Sequence, residues 1–182
     1  MSEEMLVRHC SPTLAGIKTA NMFSCAYSSR QEMIIAVRKW NKALKHKGLR
    51  VLPLKYSGSR ALIYIYRPAR LREDLKNETA CKILNSCGYS FEKTQQCIIT
   101  LIKRIASSNE FPHEIGLFLG YPPEDVFGFI ENKAKCYKCV GCWKVYGDEE
   151  YARKTFAKYR YSKQFAKGES VERLAVKSRN CA

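Results

Sequence analysis

Long apolar runs are missing from this chain of 182 residues. A helix that crosses a membrane needs about 18 to 20 mostly apolar residues in succession, and no stretch of the sequence approaches that length. The opening residues, MSEEMLVRHC, lack the basic start and apolar core of a secretory signal. We therefore expect no membrane partner and a cytoplasmic location.

Acidic residues are scarce relative to basic ones. The chain carries 17 Asp and Glu against 32 Lys and Arg, which gives a formal net charge of +15. Residues 151–182 hold nine of the basic residues and two of the acidic ones. Such a balance attracts nucleic acid or acidic protein surfaces, so we expect an anionic partner. The alternative is a solvated basic surface without a specific partner.

Aromatic and basic residues are interleaved towards the same end of the chain. Single-stranded nucleic acid is bound by surfaces that combine rings with cations, so a basic nucleic-acid-binding module that uses the C-terminal helix is one prediction. Trp143 and Tyr159 also fit buried apolar stripes, which would remove them from such a surface. The residues concerned are Tyr137, Lys138, Trp143, Lys144, Tyr146, Lys158, Tyr159, Arg160, Tyr161 and Lys163.

Internal repeats and low-complexity tracts are also absent. With 46% hydrophobic and 12% aromatic residues, the chain can fold around an apolar core and is not a disordered sequence. Its length suits one domain. We predict a single α+β domain over residues 1–165, followed by a loosely docked or disordered tail over residues 166–182.

The first half of the chain predicts a helix and a β-hairpin. The helix covers residues 30–47, where Ser29 and Glu32 match a capping box. Residues 49–66 form the hairpin, with Ala61–Tyr66 as a central strand and Pro53 on a strand nearer the edge. Residues 11–23 are ambiguous between a helix that starts at Ser11-Pro12 and a strand over 17–23.

Later residues predict mainly helices. Residues 141–147 alternate like a half-buried strand, with Trp143 and Val145 on the apolar face. This strand is expected to join the hairpin, and the fold class is α+β, with a small, mainly antiparallel sheet packed with helices. The helices are predicted over residues 68–87 with a break at Asn77, over 90–107, over 113–132 as a helix pair, and from Asp148 onward.

The helix pair at 113–132 has the spacing of a helix-turn-helix but lacks its basic reading surface. Gly116, Gly120 and Val126 carry the rhythm of that motif. A DNA reader places polar or basic side chains at the start of its second helix, and here that position holds Pro123, Glu124 and Asp125. We therefore predict a packed, helix-turn-helix-like αα-hairpin.

Three of the nine cysteines lie at metal-like spacing. Cys136, Cys139 and Cys142 form CxxCxxC, and such gaps let thiolates converge on zinc or an iron–sulfur cluster. A fourth cysteine does not follow closely, so a further ligand such as His113 or Cys10 would come from afar. Free thiols and a CxxC redox pair are the alternatives. More distant ligand candidates are Cys25, Cys181 and His9.

The sequence contains no clear arrangement of catalytic residues. His is rare, with three residues, and a thiol-dependent enzyme would need one of them beside a cysteine. His9 and Cys10 are sequence neighbours, whose side chains point apart on regular structure. The candidate acids Glu114, Glu124 and Asp125 are better explained as charges at helix starts. A P-loop is missing as well. No catalytic residue is predicted.

Three blocks of sequence resemble one family. HCSPTLAGIKTANMF, HEIGLFLGYPPEDVFGFIEN and GCWKVYGD are similar to blocks of a bacterial family of unknown function found mainly in anaerobic Firmicutes, and YIYRP resembles its middle block. The resemblance spans nearly the whole chain and implies a small cytoplasmic bacterial protein. The function expected is therefore a binding or accessory protein rather than an enzyme, with the CxxCxxC cluster as its candidate metal site.

Overall fold

The computed structural model describes residues 1–90, 93–107 and 111–176. These residues form two compact units, which we call the terminal unit (Met1–Ala69 with Tyr159–Ala182) and the central unit (Arg70–Lys158). Positions 91 and 92 of the helix predicted over 90–107 and the ligand candidate Cys181 lie outside the described residues. The predictions of one domain over 1–165 and of a loosely docked tail stay predictions.

The terminal unit is built on a three-stranded antiparallel sheet with the order β1-β3-β2. The predicted hairpin is present, since β2 and β3 pair around a turn at Gly58, and the apolar β3 is the central strand. Pro53 lies on the edge strand β2, as predicted, at a shift in register. The strands are β1 (Ala20–Ala26), β2 (Arg50–Ser57) and β3 (Arg60–Tyr66).

Helices cover this sheet and close its core. The first two are α1 (Glu3–Leu14) and α2 (Arg30–Leu44), with a 3-10 turn at Lys45–Lys47. Ser29 caps α2 by accepting from the backbone N–H of Glu32, as predicted. Val171 and Ala175 are buried in the same core as Leu6 and Leu14, so this part of the predicted tail packs against the unit. Val171 begins the short helix α9 (Val171–Leu174).

A helix start at Ser11-Pro12 is wrong. Ser2 caps α1 by accepting from Met5, and Pro12 lies inside the last turn of that helix. Burial of Leu6, Cys10 and Leu14 at four-residue spacing outweighs the backbone hydrogen bond that Pro12 removes. The alternative strand is present in a shifted position as β1.

The central unit consists mainly of helices. Asn77 caps α4 through its side chain, which confirms the predicted break between α3 and α4. The predicted αα-hairpin at 113–132 is also present, as a short α6 and a longer α7. The helices are α3 (Pro68–Asp74), α4 (Glu78–Ser86), α5 (Thr94–Ser107), α6 (Ile115–Phe118), α7 (Pro123–Glu131) and α8 (Glu149–Phe165), the first and last of which also extend into the terminal unit.

The strand near Trp143 does not join the three-stranded sheet. It is β5 (Lys144–Val145), and it pairs with β4 (Cys139–Val140) in a separate two-stranded sheet of the central unit. The predicted alternation holds, because Trp143 and Val145 are buried while Lys144 and Tyr146 are partly exposed. A period of two identifies a strand but not its partner, which explains the wrong pairing.

Among the described residues, no helix combines the length and the apolar character needed to cross a membrane.

Arg67 joins separate segments of the terminal unit. Its side chain is 1% exposed and donates to the carbonyl oxygens of Thr13 (2.8 Å) and Leu14 (2.7 Å) at the end of α1. It also donates to the carbonyls of Lys47 (3.2 Å) and Val176 (3.0 Å). The Thr13 and Leu14 carbonyls each accept one backbone N–H as well, from Gly16 and Val176, so the guanidinium adds a charged donor to carbonyl oxygens where chain segments meet.

We expect Arg67→Met to lower the free energy of unfolding by about 3 kcal/mol, because the buried carbonyl groups lose a charged donor. Urea denaturation followed by circular dichroism measures the change. Arg60→Met is the control, since Arg60 is exposed and bonds Ser24 at the surface; it should cost less than about 1 kcal/mol. Equal losses in the two variants would contradict the role given to Arg67.

Candidate functional site

Asp125 joins helix α7 to the segment over residues 143–147, which contains β5, and we call this set of contacts the Asp125 clamp. It is the third residue of α7 and 2% exposed. One carboxylate oxygen accepts the backbone N–H groups of Tyr146 and Gly147, both at 2.7 Å. The other accepts the indole N–H of Trp143 at 2.6 Å. Three donors therefore satisfy this buried carboxylate, which also lies at a helix N-terminus, where negative charge is favoured.

Glycines let this clamp close tightly. A Cβ atom on Gly128 of α7 would lie 2.4 Å from Cγ of Tyr146, and one on Gly141 would lie 2.3 Å from the ring of Phe156. Side-chain carbons do not approach that closely, so only glycine fits between these elements. The glycines in the blocks that carry the family resemblance thus allow close packing.

Glu114, the residue before α6, anchors the start of that helix through its buried carboxylate. Its carboxylate is 3% exposed and accepts from the Tyr89 hydroxyl (2.9 Å) and from Nε of Arg104 (2.6 Å). Arg104 also donates to the carbonyl of Cys87 (3.1 Å). Burial first, and then the nearby Glu114 carboxylate, raise the pKa of Tyr89 well above its usual range, so its hydroxyl stays a donor.

A pocket opens beside the Asp125 clamp. Its cavity volume is about 400 Å³. The indole of Trp143 stacks on Tyr121, with ring centroids 4.9 Å apart, and the ring of His113 meets that of Phe129 edge-on at 5.1 Å. The walls are mainly aromatic and apolar, and we call the cavity the ring pocket. It is lined by Phe111, His113, Ile115, Gly116, Tyr121, Asp125, Val126, Phe129, Val140, Gly141, Cys142, Trp143 and Lys144.

Few polar groups line the ring pocket. Lys144 donates to the carbonyl of Ala134 at 2.7 Å, and its ammonium lies 4.7 Å from the ring centroid of Tyr137. Burial raises the pKa of Tyr121 to about 12, with a smaller contribution from Cys142. The Tyr121 hydroxyl is therefore neutral at physiological pH. Besides the buried Asp125, the remaining polar side chains are His113 and Cys142, both exposed.

The three cysteines of the CxxCxxC segment have different neighbours. Cys142 acts electrostatically on Tyr121, Cys139 on Arg153, and Cys136 on Tyr146. Within the described ranges, no group of three or more His, Cys, Asp and Glu is arranged to hold a metal ion. A metal site at these residues stays a prediction, which elemental analysis of Cys136→Ser against Cys97→Ser would test.

The two additional ligand candidates are in different units. His113 lines the ring pocket together with Cys142. Cys10 belongs to the terminal unit, where it is fully buried. Burial raises the pKa of its thiol, which disfavours the thiolate that a metal requires.

The pocket was only partly foreseen from the sequence. The sequence indicates His113 and Cys142 as candidate site residues, but it does not indicate Phe111, Tyr121 or Phe129. Asp125 was interpreted as a helix-start charge, which explains its position in α7 but not its burial. Its position 18 residues before Trp143 has no local pattern, so only the pairing of a buried acid with an indole donor, seen in the fold, reveals it.

We expect Asp125→Asn to lower the free energy of unfolding by about 2 to 3 kcal/mol. Either orientation of the new amide sets an NH₂ group against at least one of the three N–H donors. Thermal or urea denaturation measures the loss, and Glu124→Gln, an exposed neighbour on α7, is the control. A loss no greater than that of Glu124→Gln would show that the clamp does not stabilise the unit.

Comparison with known proteins adds one finding. The family model described as "Protein of unknown function (DUF3793)" matches residues 6–176. No curated protein and no solved structure matches the chain. The match confirms the predicted family of unknown function, whereas the predicted bacterial source and the individual sequence blocks stay predictions. Because the match covers almost all of the sequence, the chain belongs to the DUF3793 family.

Proposed function

We propose that this is a binding protein whose ring pocket takes a small planar molecule that is neutral or anionic. The observation that carries the proposal is the cavity itself, walled by rings from the segments on either side of α6, from α7 and from the β4–β5 hairpin. Small-molecule sites usually have volumes of about 300 to 1,000 Å³ and mainly apolar walls with a few polar groups. The ring pocket, at about 400 Å³, falls in this class.

The wall chemistry favours a flat ligand. Tyr121 and Trp143 already stack on each other, and Phe129 and His113 meet edge-on. A planar ring that enters between such groups gains offset-stacked or edge-on contacts, each worth about 0.5 to 1.5 kcal/mol beyond the area buried. A branched aliphatic molecule of the same size would gain the burial without these contacts.

The charges at the pocket disfavour a cation. Asp125 is the acidic residue in the wall, but its carboxylate is already bound by three N–H donors. Lys144 contributes an ammonium group. Because the Asp125 oxygens are occupied by three donors and Lys144 brings a positive charge to the wall, a neutral or anionic ring is preferred over an aromatic cation.

A thiol-dependent enzyme is the second candidate, and one observation favours it. Cys142 and His113 line the same pocket, and a nucleophilic thiol requires a nearby base. In contrast, burial raises the pKa of the Cys10, Cys25 and Cys97 thiols. These thiols are poor nucleophiles, and Cys142 is the candidate because it shares the pocket wall with His113.

The cytoplasm remains the proposed location. The eight cysteines in the described part of the chain are all free thiols, and such a set is typical of reducing compartments.

Ligand binding can be followed through one tryptophan. The chain has two, Trp40 and Trp143, so in Trp40→Phe the emission comes from the pocket wall. We expect the anionic dye 1-anilinonaphthalene-8-sulfonate, which presents a flat naphthalene ring, to change this emission in a saturable way. Phe111→Ala should weaken the dye about three- to tenfold, because one ring contact is lost.

Phe127→Ala is the matched control for that experiment. Phe127 is 50% exposed, close to the 45% of Phe111, but it is not among the residues that line the ring pocket. Its substitution should leave dye affinity unchanged. Equal weakening by both substitutions, or dye binding that does not saturate, would contradict the proposed site.

The thiol candidate predicts that Cys142 alkylates faster than Cys136, since both are exposed but only Cys142 lines the pocket with His113. Mass spectrometry after timed treatment with iodoacetamide measures both rates in one sample. His113→Ala should slow Cys142 and leave Cys136 unchanged. Equal rates for the two thiols would rule out an activated Cys142 and leave the binding proposal intact.

A further inference from the structure

Two aromatic side chains lie in contact on the exposed side of α8, within the terminal unit. Tyr161 is 62% exposed and Phe165 is 66% exposed. Their ring centroids are 4.7 Å apart, with the ring planes tilted by 40°. Aromatic residues normally bury most of their surface, so an exposed pair on consecutive turns needs an explanation. We call Tyr161 and Phe165 the ring pair.

Basic side chains follow the ring pair around the helix. With 3.6 residues per turn, Arg160 lies about 100° from Tyr161 around the helix, and Lys163 lies about 160° from both Tyr161 and Phe165, towards the opposite face. Arg160 and Lys163 are both exposed. Lys163 then lines a groove that also contains Arg8 of α1 and Lys167. A path around α8 therefore leads from the ring pair past Arg160 to Lys163 and the groove.

The groove is mainly cationic. It has a volume of about 560 Å³, and three basic residues line it against one acidic residue, Glu4. Its other lining residues are the small or apolar Val7, Ala166 and Gly168. A groove with one sign of charge over an apolar floor concentrates counter-ions of the opposite sign.

The neighbouring His9 responds to this field. Its pKa is lowered first by burial and then by the positive charges of Arg8 and Lys163. Arg8 and Lys163, which both line the groove, therefore both act on His9, as expected where positive charge is in local excess.

We propose that this surface of the terminal unit binds single-stranded nucleic acid. The strand crosses α8: unpaired bases stack on Tyr161 and Phe165, and the phosphates that follow pass Arg160 to reach Lys163 and the groove with Arg8 and Lys167. Surfaces that hold single strands without reading their sequence combine a cationic track with aromatic platforms in this way. The surface is independent of the ring pocket, and the proposal goes beyond the function proposed for that pocket.

The exposed rings favour a single strand over other anionic partners. An acidic protein surface would satisfy the cations but has no unpaired bases for the ring pair. Duplex nucleic acid keeps its bases stacked on one another, so their faces are closed to Tyr161 and Phe165. A single strand offers phosphates and base faces together.

Fluorescence anisotropy of a labelled oligothymidylate of about 16 nucleotides tests the proposal on the full chain. We expect saturable binding at about 50 mM salt that weakens steeply towards about 200 mM, because bound phosphates release counter-ions. Tyr161→Ala and Phe165→Ala should each weaken binding about tenfold, and Lys163→Ala should reduce the slope of log K against log salt by about 0.7.

Controls come from the same helix. Tyr151→Ala removes a ring that is 56% exposed on α8 but lies ten residues before Tyr161, outside the ring pair, and it should leave affinity unchanged. Phe165→Leu keeps apolar volume and removes the ring, so it should reproduce the loss seen with Phe165→Ala. Melting curves of all variants confirm that each one is folded.

Several outcomes overturn the proposal. Absence of salt-dependent binding to oligothymidylate at low salt would do so directly. Affinity unchanged in both ring-pair variants would show that the rings do not stack on bases. Equal affinity for a duplex of the same length, or for polyglutamate of matched charge, would show that the surface recognises negative charge alone.

Discussion

One buried carboxylate holds the central unit in register. Asp125 satisfies three N–H donors that would otherwise be buried without acceptors: two backbone groups after β5 and the indole of Trp143. A buried charge is tolerated only where it is fully hydrogen-bonded. The clamp therefore fixes both the angle between α7 and the hairpin and the position of the Trp143 ring. The ring pocket depends on that geometry.

Local signals in the sequence accounted for much of the fold. Ser29 and Asn77 were recognised as helix boundaries because a cap acts through neighbouring backbone groups. Pro53 indicated an edge strand because proline cannot donate to a ladder, and β2 is at the edge. Pro123 marked the start of the second helix of the predicted αα-hairpin, and it is the first residue of α7. In each case the physical cause lies within a few residues of the pattern.

Features that depend on residues far apart in the sequence were harder to predict. The strand at Lys144–Val145 was recognised by its alternation, but its partner is the adjacent β4 rather than the three-stranded sheet, because a period of two carries no information about pairing. The sequence does not indicate the ring pair, because Tyr161 belongs to the same aromatic and basic stretch as Tyr159, and Tyr159 is buried. Which aromatic residue faces solvent depends on where the helix packs, and the cationic composition alone does not specify it.

Trp143 belongs to two structures at once: its N–H completes the Asp125 clamp and its face forms a wall of the ring pocket. A molecule held against that face binds the folded central unit but finds no site in the unfolded chain. Occupancy and folding of this unit are therefore thermodynamically linked. Heating should then reveal an occupant as a rise in the melting temperature, and a ligand search can use the protein's own unfolding as its readout.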